Sequence, residues 1–291
     1  MLSIGLLGLG EVGRCLAIGL KAGGVKVAAY DKIIESEGGR EKLQHFCSSY
    51  GVELMGTPSD LVKGAEWIIA VTAPKVALET AMSVAPYLNA SHVYLDFNSA
   101  VPRIKREIAE FVAPARFIDG AILGAPSQHG FKVPVVVSGK DGECVALGLS
   151  GAGMNVTFIG DEPGQASGLK VIRSVFTKGF ECILLECLHA ARELSIGTAI
   201  KSSIIEFLER DPIESTMNML ITSNAIHARR RAGEMEGVVE LLNEIGIDNV
   251  MTVATMKKLM WSADLGLRDL FNGEMPEHME EVIKHMPKGT T

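Results

Sequence analysis

Two groups of residues in this 291-residue chain have the types and spacing for chemistry. The first is the turn "LLGLGEVG", where Gly8, Gly10 and Gly13 spell G-x-G-x-x-G. It follows a short apolar run and opens a helical one, the setting in which such a turn cradles a dinucleotide pyrophosphate. Gly8 permits the tight turn, Gly10 lets phosphate approach the backbone, and Gly13 lets helix close on strand. Leu9, Glu11 and Val12 complete the turn at the start of a helix, whose N-terminus favours anions. Asp31 ends the next apolar run, 23 positions on from Gly8 (31 − 8). An acidic side chain there accepts hydrogen bonds from ribose hydroxyls and repels a 2′-phosphate. The expected cofactor is therefore NAD rather than NADP, with neighbouring Lys32 partly offsetting the repulsion. Thr72, Ala73 and Asn98 follow later strand runs, at the sheet edge where such ligands bind.

The second group lies in "GQASGLKVIRSVFTKG", residues 164–179. At helical spacing Lys170, Ser174 and Lys178 form one polar stripe, with Arg173 and Thr177 beside it and apolar residues over much of the remaining surface. A lysine whose pKa is lowered by burial and cationic neighbours takes a proton from a hydroxyl as its C–H is oxidised. From periodicity alone, a solvated helix face is an equal alternative.

The elements that must position these groups follow a simple order. Short β-branched runs at 3–7, 26–30, 52–55, 67–71, 92–95, 116–118, 133–138 and 156–159 are predicted strands. Helical stretches at 11–22, 37–49, 75–87 and 102–112, with a short helix capped near Ser59, alternate with the early strands. That alternation predicts a doubly wound parallel sheet, hence an α/β domain over 1–162. From residue 164 the strand signal stops. A 3–4 spacing of apolar residues continues to Leu194, long enough to join two domains. Helices at 199–208, 212–231, 234–245, 255–271 and 276–285 complete an all-α domain over 163–291.

Composition narrows the classes of function. The net charge is −7 and the pI about 5.6, which gives no footprint for nucleic acid or acidic membrane surfaces. No apolar stretch approaches a membrane span. Five scattered cysteines with no CxxC argue against a disulfide framework or a structural zinc site and point to a reducing, cytoplasmic setting. Glu186 and His189 are spaced i, i+3, but one such pair alone is no metal site, and none is expected.

With these residues in view, the chain resembles the β-hydroxyacid dehydrogenase superfamily of 3-hydroxyisobutyrate and 6-phosphogluconate dehydrogenases. "GLGEVG" is similar to its G-L-G-x-M-G turn, with Val12 for methionine. "DFNSAVP" at 96–102 resembles D-x-S-T…P, "DGAILGA" at 119–125 resembles D-A-P-V-S-G-G, and "VVVSGKDG" resembles a strand ending in V-G-G. Gly164, Ala166, Lys170 and Ser174 fall on G-x-G-x-x-x-K-x-x-x-N. The resemblance implies a Rossmann-type domain, a long interdomain helix and an all-α domain that pairs into a homodimer. It implies Lys170 as general acid/base, assisted by Ser174. Asn98, Ser99, Leu123, Gly124 and Lys178 become the expected contacts of a small anionic hydroxy or keto acid. Three departures bear on the substrate: the family's carboxylate-binding serine falls on Leu123, its D-x-S-T serine on Asn98, and its asparagine after the lysine on Ser174. The expected activity is hydride transfer between a nicotinamide and a small, 3-hydroxy acid. The rivals are an imine reductase acting on C=N, which usually lacks the lysine, and a dinucleotide-sensing regulator without turnover.

Overall fold

A computed structural model of the chain describes residues 2–288. It divides into two compact units, Met1–Val175 and Phe176–Thr291.

The first unit holds one eight-stranded sheet in the order β3-β2-β1-β4-β5-β6-β7-β8. The strands are β1 (Ser3–Leu7), β2 (Lys26–Tyr30), β3 (Glu53–Leu54), β4 (Trp67–Ala70), β5 (Val93–Asp96), β6 (Arg116–Ile122), β7 (Pro134–Ser138) and β8 (Asn155–Phe158). Between them run α1 (Glu11–Ala22), α2 (Gly39–Tyr50), α3 (Pro58–Lys63), α4 (Ala77–Val84), α5 (Pro102–Phe111), α6 (Pro126–His129) and α7 (Gly142–Gly151). Strand alternation sends successive side chains to opposite faces. Val27 and Ala29, Ile69, Val93 and Leu95 enter one core layer, whereas Ala28, Ile68, Ala70 and Tyr94 enter the other. Both faces are covered, as the apolar runs require.

Two expectations for this unit need correction. The sheet is not wholly parallel, because β7 runs antiparallel to β6. The eleven residues 123–133 between them, occupied by α6 and a 3-10 turn, are too few for a parallel crossover. Helix α7 was not predicted at all. Its glycines Gly142, Gly148 and Gly151 disguise it as a loop, yet Val145, Ala146 and Leu149 are buried on one side of it. Gly148 is required there, since a Cβ would lie 2.6 Å from the Trp67 ring.

Helix α8 (Gln165–Glu193) is the long helix that the periodicity predicts, and the division between the units falls inside it. Its first turns belong with the first unit, where Ala166 packs on Ala121 and Val136. The expected boundary after residue 162 therefore lies ahead of the compact division.

The second unit continues through α9 (Gly197–Glu209), α10 (Ile213–Glu244), α11 (Val250–Asp264), α12 (Leu267–Leu270) and α13 (Met279–Lys284). The predicted break between 231 and 234 does not occur. α10 runs unbroken through Gly233, with Ala225, Ala228 and Ala232 buried and α11 packed along it. A glycine costs such a helix roughly 1 kcal/mol, and packing outweighs that. The predicted helix at 255–271 is instead two, divided at Gly266, whose φ of +68° ends α11 and starts α12.

Candidate active site

The glycine turn joins the end of β1 to α1 at the point where strand order reverses between β1 and β4. Gly8 takes φ +105°, and a Cβ there would lie 2.6 Å from the Val71 carbonyl oxygen. A Cβ at Gly13 would lie 2.0 Å from the Gly8 carbonyl oxygen, so helix and strand meet with no room for a side chain. Gly10 differs: among the described residues, its chain neighbours aside, no heavy atom lies within 4 Å of where its Cβ would stand. It caps α1 without a side-chain hydrogen bond, leaving the helix N-terminus facing open space. That geometry fits an incoming diphosphate.

Asp31 lies beside the turn. Its Oδ2 accepts from Leu9 N at 2.7 Å and its Oδ1 from Ile33 N at 2.9 Å. Each carboxylate oxygen keeps a second lone pair for a hydroxyl. Asp31, Gly8, Gly10, Glu11, Val12, Thr72 and Ala73 share the wall of a groove of about 820 Å³, within the usual range for a cofactor site. Glu35 and Glu79 also line the groove. Glu35 accepts from the Tyr30 hydroxyl at 2.8 Å, and burial followed by this carboxylate pushes Tyr30 up to about 12. Lys32 is paired with Glu79 at 3.1 Å, so its charge is already partnered.

A second, smaller cavity of about 230 Å³ adjoins the groove and shares Val12 and Thr72 with it. Asn98, Ser99, Gly124, Pro126 and Lys170 line it. Lys170 Nζ donates to Ser99 Oγ at 2.6 Å. Burial, and secondarily the positive charge of Lys105, holds the Lys170 ammonium below the usual lysine range. Asn98 is buried; its Oδ1 accepts from Thr72 N at 2.6 Å, fixing the loop after β4, while its Nδ2 has no partner. The Pro126 segment is fastened to α1 by Phe131, whose ring lies so close to Gly19 that a Cβ would stand 1.9 Å from it.

The structure thus brings together Val12, Thr72, Asn98, Ser99, Gly124 and Lys170. Three other expected site residues, Leu123, Ser174 and Lys178, are not among those that line this cavity. The Leu123 side chain packs on the cluster of Ala121, Val136 and Ala166, and its carbonyl oxygen accepts from Arg173 at 3.2 Å. Ser174 Oγ turns back to the Lys170 carbonyl at 3.0 Å. Lys178 is exposed and lies in the second unit. Glu186 accepts from the amides of Met251 and Thr252 at 2.9 and 2.8 Å, which makes it the cap of α11. The arginines of 229–231 diverge to three partners: Asp264, Glu234 and the Ser223 hydroxyl.

Sequence reasoning missed one charged group altogether. Lys105 on α5 is fully buried, with Nζ 3.1 Å from Asp119 Oδ1, 3.5 Å from Asp96 Oδ1 and 2.6 Å from the Asp96 carbonyl oxygen. The signal was present. Val101, Ile104, Ile108 and Val112 set an apolar face at helical spacing, and Lys105 occupies a core position within it.

Two family models match separate parts of the chain. Residues 3–99 match the family of coenzyme F420-dependent NADP oxidoreductases, and residues 191–261 match a domain family of unknown function, DUF1932. The chain is 28% identical over 252 residues to an uncharacterized 28.5 kDa protein of Methanothermus fervidus, covering 87% of this chain and 95% of that one. A conserved protein of unknown function, described as structurally similar to 3-hydroxyacid dehydrogenases, is 29% identical with a TM-score of 0.64, over 94% of this chain and 99% of that one. An imine reductase variant from Myxococcus stipitatus, in complex with NAD+, shares the fold with a TM-score of 0.76 at 15% identity, over 98% and 99% of the two chains. An NAD(P)-binding Rossmann domain followed by a DUF1932-type helical domain, with these neighbours, is consistent with the β-hydroxyacid dehydrogenase superfamily. Among the described residues, no helix is long and apolar enough to cross a membrane.

Proposed function

We propose that the chain is an NAD(P)-dependent oxidoreductase that moves hydride between a nicotinamide and a small hydroxy acid, with Lys170 as general acid/base. The observation that carries this reading is the Lys170–Ser99 hydrogen bond of 2.6 Å at the edge of a small cavity sharing Val12 and Thr72 with the dinucleotide groove. Gly10 and the start of α1 would hold the diphosphate, Asp31 a ribose, and the Thr72–Asn98 wall would stand beside the nicotinamide half. The bound nicotinamide supplies the hydride acceptor. Lys170, with its ammonium disfavoured by burial, takes the substrate hydroxyl proton, and Ser99 orients its amine. NAD is favoured over NADP by the engaged Asp31 carboxylate, the carboxylates of Glu35 and Glu79 in the groove lining and the pairing of Lys32 with Glu79.

A specific observation favours a second reading, reduction of an imine. Apart from Lys170, the small cavity is lined by uncharged groups, among them Ile122, Phe97 and Pro126, which suit a neutral C=N substrate as well as an acid. A cytoplasmic location rests on the five free cysteines. A homodimer is supported by the exposed Leu185, Ile205 and Phe207, apolar groups that a second copy would cover.

The deciding experiment follows NADH and NADPH formation over a panel of 3-hydroxy acids, and their consumption over a panel of cyclic imines. Activity on the acids, reduced about 10²–10⁴-fold in Lys170→Ala with NADH binding retained, is the expected result. Activity on the imines alone, indifferent to Lys170→Ala, replaces this reading with the second. NADH binding without turnover on either panel leaves a dinucleotide sensor.

A further inference from the structure

The buried cluster behind the small cavity serves more than the core. Lys105 Nζ reaches two neighbouring strands: Asp96 closes β5, and Asp119 and Gly120 lie in the middle of β6, with the Gly120 carbonyl oxygen 3.3 Å away. Each aspartate then reaches outward. Asp119 Oδ2 accepts from Gly164 N at 3.1 Å and Ser167 N at 2.9 Å, so it caps the first turn of α8, one turn ahead of Lys170. Ser138 Oγ accepts from Ala166 N at 3.0 Å beside it. Asp96 Oδ1 accepts from Asn98 N at 2.8 Å, and Asn98 holds Thr72. One ammonium therefore lies at the root of both walls of the small cavity.

A buried ion cluster is poor evidence of stability, since desolvating three charges costs as much as their attraction returns. An apolar residue at position 105 would continue the face of Val101, Ile104 and Ile108 at no such cost. The charge needs another explanation, and its surroundings supply one. The charged groups on elements packed against the first turns of α8 are Lys105 and Arg106 on α5, Asp96 on β5 and Asp119 on β6, with Arg173 on α8 itself.

We propose that Lys105 is a positioning residue for Lys170: its buried ammonium orders the Asp119 cap that seats the start of α8, orders the Asp96–Asn98–Thr72 wall, and sets the charge against which Lys170 works. The depressed Lys170 ammonium, attributable first to burial and then to Lys105, agrees with that arrangement. This inference rests on Lys170 being the acid/base of the proposed function.

The test reads Lys170 directly, without substrate. Trace labelling with acetic anhydride over a pH series, quantified by mass spectrometry, gives the titration midpoint of Lys170 in the folded protein and in the urea-unfolded chain. In the unaltered protein the folded midpoint should lie below the unfolded one; equal midpoints overturn the proposal at once. Lys105→Met alone strands two buried carboxylates and threatens the fold. The double variant K105M/D96N keeps only Asp119, which α8 amides still satisfy. Removing the repelling ammonium while leaving that carboxylate should raise the Lys170 midpoint and lower its reactivity near neutral pH by more than about twofold. Lys105→Arg, which keeps the charge, should stay within about twofold of the parent. A folded K105M/D96N with unchanged Lys170 reactivity, or K105R shifting as far as the double variant, overturns the proposal. The two claims fail separately. Labelling that shifts as expected while Lys170→Ala keeps full activity defeats the proposed function only. Unshifted labelling with an inactive Lys170→Ala defeats the role of Lys105 only.

Discussion

The dinucleotide groove and the Lys170 corner adjoin one another yet are built from different materials. The groove turn is shaped by missing atoms, in that Gly8 and Gly13 let backbone touch backbone and Gly10 leaves space. The corner is shaped by buried charge, with Lys105, Asp96 and Asp119 spanning two strands and a helix start. A surface made by omission is broken by adding one carbon and is indifferent to pH. A surface made by charge is broken by removing one group, and its behaviour follows proton concentration.

The largest expected effect tests the first half of that contrast. Gly13→Ala puts a Cβ 2.0 Å from a carbonyl oxygen that has no freedom to retreat, so fluorescence titration should show no saturable NADH binding at any pH. Binding within threefold of the parent would show that the turn is not rigid. Next comes Asp119→Ala, which strips Lys105 of its nearest carboxylate and orphans the amides of Gly164 and Ser167. Truncating one partner of a buried ion cluster should cost about 3–5 kcal/mol in urea denaturation.

A smaller effect separates function from stability at the corner. Folding holds the Lys170 ammonium below its unfolded value of 10.5, so the unfolded chain binds more protons between the lowered value and 10.5. Stability therefore rises with pH across that window. Lys170→Met should melt higher than the parent at neutral pH, and the advantage should vanish above 10.5. A variant less stable at every pH would mean the lysine is a structural contact rather than a strained base. The smallest effect belongs to Lys32→Ala. That ion pair is exposed, so the melting temperature should not move, while affinity for NADPH should fall more than affinity for NADH.

The same contrast explains what could be read in advance. Gly8, Gly10, Gly13 and Asp31 act through neighbours close in sequence or through one strand pairing, and their spacing alone declares the turn. The alternation of strands and helices was likewise local, so the sheet and the helical domain were both legible. Lys105 was not, because a lysine on an apolar helix face looks like an interruption until Asp96 and Asp119 are seen across it. The cap of α8 joins residues 45 and 48 positions apart, a relation that no window of sequence contains. Arg173 was read as part of the cationic surround of Lys170, whereas it reaches the Leu123 carbonyl and the charge that bears on Lys170 comes from α5. The direction of β7 was open to inference from the length of its connection, but the strand signal itself carries no direction.

The contact of Phe131 with Gly19 has a consequence for how this pocket drifts. Gly19 stands about two turns past the fingerprint glycines on α1, and its small size is fixed by a ring from the loop that bears Pro126. Lineages or engineers that alter substrate preference by rebuilding that loop inherit a constraint written on the cofactor helix. A bulkier residue at position 131 is blocked until the helix changes, and a side chain at position 19 evicts the loop. The Pro126 loop and helix α1 therefore diverge as a pair.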